Sequence, residues 1–247
     1  MTASVILLSA GLDSAVNFKL ALSKGHVSAA LTFDYGQRAA RREVESATAM
    51  CERFGIRHEI IALPWLADIT TSALVNREAT LPRPEEADLD HEARSNESAA
   101  SVWVPNRNGI FLAIGAGYAE ALDADRVLAG FNAEEAASFP DNSEAFIRAY
   151  NRSLRFSTRT GIQVVCHTNN MDKTAIVKLG FEVCAPLDLA WCCYEGGQTL
   201  CGECESCKRF LRAARDSGCM EWFRRHHPRM PASKSPARNV QSKGTTP

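Results

Sequence analysis

No stretch of the chain approaches 18 apolar residues, so no segment is fit to cross a membrane as a helix. The first residues carry no basic run and no small-residue cleavage pattern, and Asp13 interrupts the opening apolar stretch, so no secretory signal is expected. Internal repeats are absent. So is a disulfide framework: the nine cysteines are an odd number, and four crowd between Cys193 and Cys207. That pattern fits metal ligation in a reducing, cytoplasmic setting. The first glycine-containing loop lacks a lysine. A Walker A loop needs G-x-x-x-x-G-K-[ST], yet the first lysine of the chain is Lys19, and G-x-G-x-x-G is missing too.

What is present is a chain of 247 residues, 45% hydrophobic, enough for one α/β domain or one domain with a small appendage. Val5–Leu8, Ala29–Phe33 and Arg57–Leu63 read as strands, with helices over Ser14–Lys24 and Arg38–Phe54 between them. This alternation predicts a doubly wound parallel sheet with helices on both faces. From Ala67 to Ser101 the pattern breaks. Seven acids, two arginines and two prolines lie between Glu78 and Glu97, as in a long excursion or lid. The pattern resumes with a helix over Asn108–Leu122, a strand at Arg126–Gly130, a helix over Ser143–Phe156, a strand at Ile162–Cys166 and short helices at Asp172–Leu179 and Ser206–Asp216. The α/β domain is therefore expected over 1–185, a cysteine-containing region over 186–227, and a Pro/Ser/Lys-rich disordered tail over 228–247.

The net charge of −1 hides an asymmetry: Lys208 onwards carries ten Lys/Arg against Asp216 and Glu221, or +8, which leaves −9 for the rest. A basic end can touch nucleic acid, but a solvated helix face and tail is the favoured reading of it.

The loop Ser9–Ser14 reads S-x-G-x-D-S and joins a buried strand to a helix. Ligands of parallel sheets sit beyond the carboxyl ends of strands. Small residues let backbone N–H groups approach an anion, and the helix N-terminus adds partial positive charge. Ser9 and Ser14 offer hydroxyls to phosphate oxygens, and Asp13 is a hard oxygen ligand suited to Mg2+. Cys193-x7-Cys201-x2-Cys204-x2-Cys207 places four thiolates within reach of one ion, with Gly202 easing the turn. Four sulfurs suit a closed, structural Zn2+ site; an iron–sulfur cluster uses similar spacing. Cys192 is expected to point elsewhere, and Cys51, Cys166, Cys184 and Cys219 to be packing residues. His167, His226 and His227 show no convincing partner.

The loop resembles the PP-loop, S-G-G-x-D-S, of the N-type ATP pyrophosphatases, with Ala10 where that superfamily has glycine. Those enzymes split ATP between the α- and β-phosphates, so no lysine on a γ-phosphate is required. Loop and cysteine cluster together resemble the QueC family, the 7-cyano-7-deazaguanine synthases. "FDYGQR" (Phe33–Arg38), "VPNRN" (Val104–Asn108), "GFNAEE" (Gly130–Glu135), "DK" (Asp172–Lys173) and "PLDLAWCCYEG" (Pro186–Gly196) agree with it in order, over about residues 4–215. One segment departs. Where the family reads Y-S-G-Y-P-D-C-R-P-E-F, Ala136–Phe146 reads "AASFPDNSEAF", with Ala136, Asn142 and Ser143 at the tyrosine, cysteine and arginine positions.

The resemblance implies an adenine nucleotide alpha-hydrolase-like, Rossmann-like fold with a small zinc-binding region. It implies conversion of 7-carboxy-7-deazaguanine and ammonia, with ATP, to the nitrile preQ0 on the path to queuosine. ATP and Mg2+ would be held by Leu8, Ser9, Ala10, Gly11, Leu12, Asp13, Ser14, Ala15, Val16, Asn17 and Phe18, with Asp13 and Ser14 catalytic. Arg38 and Arg107 would clamp phosphates or substrate, and Lys173 would be a phosphate ligand. Asn132, Glu134 and Asp141 would hold the substrate, Asp141 its guanine-like edge. Zn2+ would be bound by Cys193, Cys201, Cys204 and Cys207. A homodimer is expected, and no stable nucleic-acid complex. The alternatives are a relative acting on another carboxylate and a tRNA-modifying PP-loop enzyme.

Overall fold

In the computed structural model, which describes residues 2–230, the strands carry side chains alternately to two covered faces. Val5 and Ile6 are both fully buried, on opposite faces, as a central strand requires. That strand, β1 (Ala3–Leu7), pairs in parallel with β2 (His26–Asp34) and β4 (Arg126–Leu128). Outside them lie β3 (His58–Ala62) and β5 (Gln163–Val165), giving the order β3-β2-β1-β4-β5, parallel throughout. The connection reverses direction between β1 and β4, which places a ligand crevice at their carboxyl ends.

Helices α1 (Leu12–Lys24) and α2 (Ala40–Phe54) cover one face, packing Ala15, Phe18, Ala47 and Met50 on Ile6, Ala30 and Leu128. Helices α5 (Arg107–Ala121) and α7 (Glu144–Ser157) cover the other, packing Leu112, Ala116, Ile147 and Leu154 on Val5, Leu31 and Val127. The sheet is thus doubly wound, as expected. Asn151 of α7 closes the β5 edge: its amide donates to the Val164 carbonyl at 3.0 Å and its oxygen accepts from the Val164 N–H at 2.7 Å.

A third cluster joins Val16 and Leu20 of α1 to Ile176 and Val177 of α8 (Lys173–Glu182), to Cys193, Cys204 and Cys207, and to Phe210 of α9 (Glu205–Asp216). Phe223 of α10 (Met220–His226), a helix not anticipated from the sequence, completes it. The cluster runs across the expected boundary between residues 185 and 186, so the cysteine region shares a core with the sheet's own helices. Cys184, expected to pack, is instead exposed, in a left-handed conformation (φ 55°) after α8.

The acidic excursion is ordered and docked. It holds the short α3 (Trp65–Asp68) and α4 (Glu92–Val102) and runs as a strap along α9. Arg212 pairs with Asp90 at 2.7 Å, Arg215 with Glu86 at 2.5 Å, and Arg83 with Glu203 at 2.7 Å. Arg209, buried, donates to the Leu89 carbonyl at 2.7 Å and to Glu205 at 2.9 Å. Arg212 and Arg215 of α9, which charge alone marks as part of a candidate polyanion surface, are therefore occupied by acids of the strap, and Arg209 by Glu205 and a strap carbonyl. Most of the expected disordered tail, 231–247, lies outside the described residues. Its first residues are held: Arg229 donates to Ser46 and Glu45, each at 3.2 Å, and its carbonyl accepts from Leu200 at 2.9 Å.

Candidate active site

Beyond β1 the chain turns through Ser9, Ala10 and Gly11 into α1. Ala10 sits in the left-handed region (φ 60°), which costs an L-residue about 1 kcal/mol or more. Its methyl is fully buried among Ile6, Leu8 and Ala15, and burying one such group returns about 0.8 kcal/mol. That offset accounts for an alanine at a glycine position. The Ala10 carbonyl accepts from the Trp191 N–H at 2.8 Å, which pins the loop to the segment leading into the cysteine cluster. Gly11 is the N-cap of α1 and no side chain caps the helix, so its first turn is free to face an anion. Ser9 and Ser14 place their hydroxyl oxygens 3.2 Å apart beside it. At the end of β4, a Cβ on Gly130 would lie 2.6 Å from the Ser14 nitrogen; only glycine lets that strand press on the first turn.

Three charged groups converge under the loop. Lys173, at the start of α8, reaches Asp13 at 3.0 Å and Glu135 at 2.8 Å, and is buried. Asn132 donates to the same Asp13 oxygen, Oδ2, at 3.1 Å. The other oxygen, Oδ1, is buried with no partner. Burial raises the Asp13 carboxyl above the ordinary carboxylate range, outweighing Lys173. For Glu135 burial pulls the same way but Lys173 wins, and the group is held low. Burial would discharge Lys173, yet its two carboxylates more than restore the charge. A buried, unpartnered carboxylate oxygen and two hydroxyls lining the same cavity are a donor set that fits Mg2+, a cation that prefers oxygen ligands.

The loop forms one wall of a cavity of about 240 Å3, room for a small planar molecule. Phe33 and Phe111, stacked at 4.0 Å, line it together with Tyr35, Phe131, Phe139 and Tyr194. Arg107 enters beside Tyr35 and donates to its hydroxyl at 3.2 Å. Burial raises the phenols of Tyr35 and Tyr194, so both remain neutral.

The four cysteine sulfurs lie within 4.8 Å of one another. Tetrahedral bonds of about 2.3 Å to zinc need sulfurs about 3.8 Å apart, and Cys201 and Cys207 are at 3.8 Å. Backbone N–H groups of Cys201, Glu203 and Cys204 point at cluster sulfurs at 3.2–3.4 Å, as suits thiolates. The residues present fit a tetrahedral metal. Cys192 lies outside the set and lines the cavity instead.

The family model of the queuosine biosynthesis protein QueC matches residues 3–218. A 7-cyano-7-deazaguanine synthase of Pelotomaculum thermopropionicum is 51% identical over 215 residues, covering 87% of this chain and 97% of that protein. The chain belongs to the QueC family. One from Desulforudis audaxviator is 50% identical over 214 residues, covering 87% of this chain and 97% of its own. Among solved structures, an NMN synthetase from Francisella tularensis resembles this QueC chain at TM-score 0.43 and 18% identity, over 95% of this chain and 89% of the other.

The candidate residues fall into two groups. Leu8, Ser9, Gly11, Leu12, Asp13, Ser14, Arg107 and Lys173 line the cavity. Ala10, Ala15, Val16 and Phe18 are fully buried core beneath it, and Asn17, equally buried, donates to Thr168 at 2.7 Å; their part is to hold the loop. Arg38 faces away: it donates to the carbonyls of Asn76 at 2.8 Å and Ala79 at 2.5 Å and anchors the strap. Glu134 is tied to Arg209 at 3.2 Å and Arg212 at 3.1 Å, so its neighbour Glu135 is the acid that reaches the cavity. Asn132 caps the short helix α6 (Ala133–Ala136) and orients Asp13. Asp141 stands outside the cavity lining, while Asn142 is part of it. Glu135, Asn108, Trp191 and Tyr194, which lie in the quoted motifs without an assigned role, also line the cavity, as does Glu43, which lies outside every motif.

The segment that departs from the QueC pattern has a local logic. Ser143, at the family's arginine position, caps α7, its hydroxyl accepting from the Phe146 N–H at 3.1 Å. Ser143→Ala should cost about 1 kcal/mol and lower Tm by roughly 2–4 °C, with the KM for substrate unchanged. A raised KM at unchanged Tm would show that Ser143 reaches the substrate.

Proposed function

We propose that this chain converts 7-carboxy-7-deazaguanine and ammonia into 7-cyano-7-deazaguanine with cleavage of ATP to AMP and pyrophosphate. One observation carries the reading: in a chain of this family, a buried carboxylate with an unpartnered oxygen, Asp13, stands at an uncapped helix N-terminus beside the lysine that the loop lacks, Lys173.

Gly11, Ser9, Ser14 and the first turn of α1 cradle phosphate oxygens, and Lys173 adds fixed positive charge. Asp13 and Ser14 would hold Mg2+, which supplies charge neutralisation on the leaving pyrophosphate. The first step joins an oxygen of the substrate carboxylate to the α-phosphorus and breaks the bond to pyrophosphate. A carboxylate is a poor electrophile; its adenylate is not. The nitrogen of ammonia then bonds to the acyl carbon, AMP leaves and a proton is lost, giving the amide. Adenylation of the amide oxygen by a second ATP, followed by loss of AMP and protons, gives the nitrile. The protein's contribution is electrostatic and positional. The zinc site, with four protein ligands, holds structure rather than reacting groups.

Incubation with 7-carboxy-7-deazaguanine, ATP, Mg2+ and ammonium should yield the nitrile by mass, with AMP and pyrophosphate as coproducts. Release of ADP and phosphate alone would overturn the loop assignment. Recovery of unchanged acid would overturn the substrate.

A further inference from the structure

Three carboxylates line the cavity: Asp13, Glu135 and Glu43. The first two are bound to Lys173. Glu43, in the first turn of α2, has no ion pair among the described residues. Its side-chain partner is a neutral amide, Gln37, which donates to Glu43 Oε2 at 2.8 Å. Gln37 is itself immobilised: its oxygen accepts from the Tyr35 N–H at 2.9 Å, and its nitrogen also donates to the Phe33 carbonyl at 2.9 Å. The Glu43 carboxyl is thus held at a fixed position in the cavity that Phe33, Tyr35 and Phe111 also line, where an uncompensated charge is costly. Burial raises its pKa, partly countered by Gln37 and by Arg107. Arg107 likewise has no ion pair within 4 Å among the described residues; its side-chain hydrogen bond goes to the Tyr35 hydroxyl, and the Asp141 carboxyl acts on it only from farther off.

An acceptor and a donor, each without an ion pair and both lining one aromatic-walled space, are complementary to a flat heterocycle that offers donors and an acceptor on one edge. A guanine-type ring has that edge: a ring N–H and an exocyclic amine side by side, next to a carbonyl oxygen. We propose that Glu43 is the specificity-determining residue of this site, accepting the ring N–H and the 2-amino group of the deazaguanine, with Arg107 donating to the adjacent carbonyl oxygen. The inference rests on the proposed function for the identity of the bicycle. It moves recognition of that edge from Asp141, outside the cavity lining, to a residue that the sequence motifs do not mark.

A carboxylate accepting two N–H donors is worth 1.5–3 kcal/mol per charge-assisted bond, so its loss corresponds to roughly 10- to 100-fold in affinity. The wild type should take 7-carboxy-7-deazaguanine with a KM roughly 10- to 100-fold below that of the analogue lacking the 2-amino group. Glu43→Gln keeps an oxygen for Gln37 and so keeps the fold, checked by Tm and metal content. It should raise the KM for the acid by a similar factor, abolish the discrimination against the analogue, and leave the KM for ATP unchanged. Equal KM values for acid and analogue in the wild type, or undiminished discrimination in Glu43→Gln, would overturn the assignment. Binding of 7-deazaguanine, measured by calorimetry, separates it from the proposed reaction. Glu43-dependent binding without nitrile formation sustains the assignment and removes the reaction; nitrile formation from the acid without binding of 7-deazaguanine sustains the reaction and removes the assignment.

Discussion

Asp13→Asn should reduce AMP formation by roughly a thousandfold or more while the protein still folds. The size follows from the loss of an anionic ligand at a point where charge develops on the leaving group, worth several kcal/mol of barrier. The survival of the fold follows from the pairing around Lys173. That lysine keeps Glu135 at 2.8 Å, so the substitution leaves no orphaned cation. Asn132 can still donate to the remaining carbonyl oxygen at position 13. Burial already disfavours the Asp13 carboxylate, and a neutral amide escapes that cost. Single-turnover measurement of AMP release, with Tm alongside, checks both halves. Near-normal release in this variant would remove Asp13 from the chemistry; collapse of the fold would recast it as a structural ion.

The second large effect concerns the cysteine site. Purified protein should carry one zinc per chain, and Cys204→Ser should aggregate or melt far below the wild type. A structural zinc contributes on the order of 10 kcal/mol to folding, comparable to the whole stability of a domain. Cys204 is fully buried, is the N-cap of α9, and belongs to the cluster that also packs α1 and α8. Damage there cannot stay local. Elemental analysis and a thermal melt with and without chelator give the answer. A brown, iron-containing preparation would assign the site to a cluster of iron and sulfur instead, and an unchanged Tm in Cys204→Ser would deny the site any structural part.

The sequence carries the sheet and the loop openly, because both are written in local pattern. Short apolar runs alternating with helical periods can hardly form anything but a parallel sheet. The S-x-G-x-D-S spacing sits where such a sheet opens. What stays hidden depends on angles and on distant partners. Glu134 and Glu135 are adjacent, and only the phase of a four-residue helix decides that one meets Arg209 and the other Lys173. Arg38 stands in a family motif, yet its guanidinium goes to the strap because two carbonyls of the strap lie within reach. Helix α4 is rich in charge and serine and gives a weak period by itself; docking holds it. Glu43 lies outside every motif, and only the fold brings it to the cavity that Phe33 of β2 and Phe111 of α5 also line.

The seam between strap and α9 also sets an order of assembly during synthesis. Asp90 leaves the ribosome 122 residues before the arginine it pairs with. At about 5–20 residues per second, that is an interval of roughly 6–24 s. When that interval opens only β1–β3 and the loop have been made, since β4 begins at Arg126 and β5 at Gln163; the strap can anchor on Arg38, while Asp90 and Glu86 still lack their arginines. Arg212 and Arg215 follow Cys207 along α9, so the seam closes only after the last cysteine of the cluster has been made. A nascent chain therefore makes the Ser9–Ser14 loop early and the stretch of cavity wall between Trp191 and Phe210 last.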